Sequence, residues 1–86
     1  MSYLEIISNH ILLPPDVLAG MPYITICGRS SVSIENHKKI LTYSDTLIEI
    51  QVKACIIRIE GEALKIAYYT KEELKICGVI KAVSYD

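Results

Sequence analysis

The 86-residue chain has no tryptophan and no phenylalanine, only four glycines and three prolines, and no excess of charge of either sign. Without large apolar rings the core must be aliphatic, and isoleucine alone supplies 15 positions. β-Branched side chains of that kind fit the pleated, half-buried surface of a sheet. The nine Lys and Arg are spread along the chain against ten Asp and Glu, a formal net charge of -1. No basic stripe forms that could follow a phosphate backbone, which argues against nucleic-acid binding as the main role. No apolar run approaches the roughly 18 residues of a membrane span. The start, MSYLEIISNH, lacks a basic n-region and carries Glu5, so no secretory signal is read there and a cytoplasmic location is expected. Three cysteines with no C-x-x-C pair form neither a disulfide framework nor a strong zinc motif.

What is present fits one small domain. Residues 1–22 read as an N-terminal arm or short helix. Apolar positions at 4, 6, 7, 11, 12 and 13 suit either form, and Pro14 and Pro15 then break whatever precedes them. From Tyr23 to the end the pattern alternates in the manner of strands. Ile24 and Ile26 share a face, as do Val32 and Ile34, Leu41 and Tyr43, and Ile48, Ile50 and Val52. Ile57 and Ile59, then Leu64, Ile66 and Tyr68, then Leu74 and Ile76 continue it.

An internal echo runs through this region. ITICG, LTYSD, IRIEG and LKICG put Gly28, Asp45, Gly61 and Gly78 at nearly even intervals along the chain. The expected fold is all-β, a small antiparallel sheet or sandwich of about eight short hairpin-connected strands, each Gly or Asp marking a turn or bulge. A β-solenoid with one coil per unit is the alternative. Turn signals at ENHK, YSDTL and EGEA favour reversals of direction.

The polar cluster Glu35, Asn36, His37, Lys38 and Lys39 is the best place for chemistry. His37, with Glu35 close by on the same run, could make an orienting carboxylate–imidazole pair. A solvated turn between two strands explains the same residues and is preferred, because Asn and His tolerate positive φ. His10 stands far off in the arm, and its spacing from His37 makes no metal motif. Cys27, Cys55 and Cys77 read as packed thiols. Arg29, Ser30 and Ser31 follow Gly28 but lead into a strand rather than a helix, so they are not a phosphate loop. Glu60, Glu62, Glu72 and Glu73 show no acid–base pairing and keep the sheet soluble. No catalytic, cofactor or metal residues are assigned, and no enzyme is expected. Surplus apolar positions at Ile40, Leu47, Ile56, Val79, Ile80 and the arm suit either a two-layer core or a binding surface.

The segments LPPDVLAGMPYITICG, VSIENHKKILTYSD, IRIEGEALKI and ELKICGVIKAVSYD together resemble the YabP/YqfC family of sporulation proteins, nearer its YqfC branch. The likeness covers roughly residues 13 to 85, over Leu13 to Val17, Ile24 to Gly28, Ile34 to Ser44, Ile57 to Ile66 and Glu73 to Tyr85. Ala54 and Lys39 depart from it, since relatives often carry Gly in those turns. The resemblance implies a small non-enzymatic protein of endospore-forming bacteria, made in the mother cell. It also implies a polytopic sporulation membrane protein, YqfD, as partner, with no cofactor. On that footing the chain is expected to be a cytoplasmic adaptor that reaches the membrane through its partner. A structural homo-oligomer is the alternative, and a His/Cys metal protein or enzyme a weaker one. The candidate partner-binding residues are Ile11, Leu12, Leu13, Arg29, Glu35, His37 and Lys38.

Overall fold

The computed structural model describes residues 20–86. Six strands follow in order: β1 (Tyr23–Cys27), β2 (Ser31–Glu35), β3 (Lys39–Tyr43), β4 (Leu47–Val52), β5 (Cys55–Tyr69) and β6 (Glu73–Tyr85). They form one sheet in the order β1-β2-β6-β5-β4-β3, with every pairing antiparallel. The all-β antiparallel expectation is borne out. A solenoid is not supported, because its successive coils would stack strands in parallel. The expected arm lies outside the described residues except for Gly20, Met21 and Pro22.

The strands number six rather than about eight because Gly61 and Gly78 bend β5 and β6 without ending them. At the bend the two backbones almost touch. A Cβ on Gly61 would lie 2.0 Å from the Val79 carbonyl oxygen, and one on Gly78 would lie 2.7 Å from that of Ala63. Gly78 also holds φ +141°, a value side chains rarely allow. The β5–β6 register shifts between Glu60 and Gly61 and again between Glu62 and Lys65, as β-bulges do when a strand turns sharply.

Each long strand therefore serves two half-sheets. One half holds β1, β2, the start of β6 and the end of β5; the other holds β3, β4, the start of β5 and the end of β6. Donors that the bend would strand are taken up by the hairpin turns. Gly61 and Leu64 donate to the Thr46 and Asp45 carbonyls, and Gly78 and Ile80 donate to those of Ser30 and Arg29. The Gly28, Asp45, Gly61 and Gly78 echo thus marks two turns and the two bends they dock on.

Both halves feed a single core. Val32 and Ile34 from β2, Ile48, Ile50 and Val52 from β4, Ile57, Ile59 and Leu64 from β5, and Leu74, Ile76 and Ile80 from β6 are all buried in it. Burying one such side chain contributes about 1.5–3 kcal/mol. Leu41 departs from the expected alternation. The β3–β4 register shifts between Ile40 and Thr42, so Leu41 is displaced onto the surface.

The segment 36–38 is not a hairpin turn between neighbouring strands, the form its polar sequence favours. β2 and β3 belong to different half-sheets, and these residues cross from one to the other. Asn36 takes φ +65°, donating its backbone N–H to the Glu72 carbonyl (2.7 Å) and its side-chain amide to the Met21 carbonyl (2.8 Å). Lys38 donates to the Gln51 carbonyl.

Ala54, in the tight loop between β4 and β5, sits at φ +75°. Glycine there removes the clash of Cβ with the backbone at some cost in unfolded-chain entropy. Ala54→Gly is expected to stabilise by about 0.5–1 kcal/mol, read as a higher denaturant midpoint at unchanged m-value. Gly61→Ala is expected to destabilise by about 3 kcal/mol, the upper range of overpacking, because the obstructing atom belongs to backbone.

Candidate functional site

The sequence candidates separate in space. Glu35, His37 and Lys38 lie together at the end of β2, where Asn36 reaches the Met21 carbonyl. Arg29 lies at the opposite end of the β1–β2 hairpin, exposed, with its carbonyl bonded to Ile80. Ile11, Leu12 and Leu13 fall outside the described residues.

His37 is not the solvated loop tip that its polar neighbours suggest. It is only 7% exposed and its ring packs on Tyr69, with centroids 4.9 Å apart at 40°. Among the described residues its buried Nδ1 meets no hydrogen-bond partner. Burial follows from the crossover: a residue passing between half-sheets covers the end of the core. Glu35 is exposed and stands across from Glu73, not beside an imidazole it could orient.

That pairing is the most informative feature of the end. Glu35 stands directly opposite Glu73 across the β2–β6 ladder, and Tyr23 stands opposite Glu35 on the other side. Like charges in directly opposed positions destabilise a sheet. Tyr68, paired with Lys75 on the β5–β6 ladder, lies diagonally across from Glu73, whose carboxylate favours retention of the phenol proton. The outer face therefore carries two carboxylates flanked by two exposed tyrosines. Lys75 lies further along the same row, opposite Ser33, and Lys38 and Met21 stand at the rim. From the sequence Glu73 reads as a solubility residue and Tyr68 as part of the Leu64–Ile66 face; the register break between Ile66 and Tyr68 turns Tyr68 to the outer face instead. Only the register sets the two glutamates face to face.

In the other half-sheet two charged pairs are formed. Glu49 accepts from Thr42 Oγ1 at 2.7 Å and from Arg58 Nη2 at 2.9 Å, and these bonds hold its carboxyl below the usual range. Lys81 pairs with Glu62. A shallow groove of about 450 Å³ lies among Thr46, Leu47, Arg58, Glu60, Gly61 and Lys81, but both of its cations are engaged in these pairs. Among the described residues no three His, Cys, Asp or Glu side chains gather as metal ligands, and the three cysteines are free. No described helix is long and apolar enough to cross a membrane.

The model of the YabP family matches residues 20–86, the whole of the bent sheet. The chain belongs to the YabP family. The protein YqfC of Bacillus subtilis (strain 168) is 34% identical over 73 residues, covering 85% of this chain and 78% of YqfC. No solved structure matches. The resemblance read from the motifs is thus borne out, and the matched span in this YabP-family chain includes every residue of the acidic, tyrosine-flanked end.

The Tyr68 phenol is pushed above its ordinary value of 10.0, first by its bond to Glu73, then by partial loss of water and the charges of Glu73 and Glu35. The native state holds this proton more tightly than the unfolded chain. The associated stability is present below about pH 10 and is lost as pH rises through the folded value. In an ultraviolet titration the Tyr68 tyrosinate should form above the ordinary tyrosine range, as a late component. Tyr68→Phe should remove that late component, and Glu73→Gln should return it to the ordinary range.

Proposed function

We propose that the protein is a non-enzymatic sporulation protein of the mother-cell cytoplasm. In this reading it is an adaptor whose acidic, tyrosine-flanked end docks a polytopic sporulation membrane protein of the YqfD kind. Membership of the YabP family supports the sporulation role, through the properties implied by the motif resemblance.

The observation that carries the docking surface is the opposed Glu35–Glu73 pair. A sheet keeps a destabilising like-charge pair when something outside it supplies the compensating charge. Cytoplasmic loops of membrane proteins are enriched in Lys and Arg. A basic loop laid across this end would lie directly on the opposed carboxylates, which Lys75 and Lys38 flank without standing between them. Tyr23 and Tyr68 offer the rigid, amphipathic contact area typical of binding hot spots. Ile11, Leu12 and Leu13, outside the described residues, are proposed as further contacts of the same partner.

Glu35→Gln separates the two roles. It should raise thermal stability by about 0.2–1 kcal/mol, since it removes a like-charge opposition. It should also reduce recovery of a polytopic membrane protein with the tagged chain after gentle crosslinking in sporulating cells. Undiminished recovery from the stabilised variant would remove this end as the docking surface.

A further inference from the structure

The bent sheet leaves four backbone edges open among the described residues, and they are not alike. β3 is an outer edge, but Lys39 opens it and the shift at Leu41 kinks it. The end of β5, past the Leu64–Asp45 bond, carries Lys65 and a third register break between Ile66 and Tyr68, and Tyr43 Oη already accepts from the Ile66 N–H. The end of β6, past the Ile80–Arg29 bond, begins with Lys81 in its pair with Glu62. Charges and bulges of this kind are how sheets prevent edge pairing.

β1 has none of them. Its five residues, Tyr-Ile-Thr-Ile-Cys, hold an unbroken register on β2 from Tyr23–Glu35 to Cys27–Ser31, with no charge and no proline between. Four of the five are exposed, and Ile26 is 52% exposed although Val32, its partner on the core face, is fully buried. The core row at Ile26 therefore stops short at this edge.

We infer that β1 is the interface of a two-fold homodimer, in which the β1 strands of two copies pair antiparallel with Thr25 on the axis. The occupant is read from the symmetry of the segment. With Thr25 opposite itself, Ile24 of one copy faces Ile26 of the other on the core side, twice. The half-exposed isoleucine is then covered by the residue type that continues its row. On the outer side Tyr23 faces Cys27, and Thr25 faces Thr25, a favourable cross-strand pair. No charge is brought opposite a like charge in this register, and the contact is isologous and closes. The dimer takes up Tyr23 but leaves Glu35, Glu73 and Tyr68 open, so its test at Thr25 is read separately from the Glu35→Gln test of the adaptor reading.

The axis provides the test. In Thr25→Lys two lysines oppose each other, and in Thr25→Glu two glutamates do. Thr25 is exposed, so each variant should keep the wild-type circular dichroism spectrum. Sedimentation across a dilution series of the full chain should show a monomer–dimer equilibrium. Each variant should shift its midpoint to higher concentration by roughly tenfold or more. An equimolar mixture of the two should recover association, because Lys then opposes Glu. A wild-type chain that stays monomeric throughout would overturn the inference. Variants that dimerise as tightly as wild type, or a mixture that fails to recover, would overturn it equally.

Discussion

The near-contact of two backbones at Gly61 and Gly78 is the constraint on which this structure depends. The Val79 carbonyl oxygen occupies the space a side chain on Gly61 would need, and the Ala63 carbonyl does the same at Gly78. Because neither position has a Cβ, β5 and β6 can bend together and stay paired through the bend. Each strand then contributes to both half-sheets, and one aliphatic core serves them both. The donors freed by the register shifts are met by the turn carbonyls at Asp45, Thr46, Arg29 and Ser30, so the corner is satisfied as well as tight.

The same bend explains the approximate internal symmetry. The order β1-β2-β6-β5-β4-β3 reads alike from either edge, with β1–β2 docked on the β6 bend and β3–β4 docked on the β5 bend. Chain continuity breaks the symmetry at one place. Residues 36–38 must cross from one half to the other, and this drives His37 into the end of the core against Tyr69. A polar sequence thereby acquires a buried ring, and the end it covers becomes the place where the opposed glutamates and exposed tyrosines meet.

Two kinds of local disagreement with sheet stability mark the surfaces of interest. Glu35 opposite Glu73 costs stability where a neutral pair would not, and the bare β1 edge omits protections found on the other described edges. Elsewhere the sheet follows the rules closely: Thr42, Glu49 and Arg58 form a satisfied chain across β3, β4 and β5. Departures of these two kinds, at the surface of a sheet, are where interactions with other molecules are best sought.

The sequence by itself determined the aliphatic core, the strand alternation and the positions of the turns and bends, because period-two burial and glycine placement are local properties. Ile34, Ile48, Ile57 and Leu74 were legible as core from spacing alone. It also determined the family, since ordered motifs over most of the chain are preserved in the residues themselves. Tertiary structure alone decided that Gly61 and Gly78 bend strands rather than end them, because a turn and a bulge call for the same residue. It alone decided that ENHKK crosses between halves, that His37 is buried and that Glu35 faces Glu73. Those facts depend on register between segments remote in sequence. Such pairing is fixed by how the faces close on one core, not by any residue near the pair.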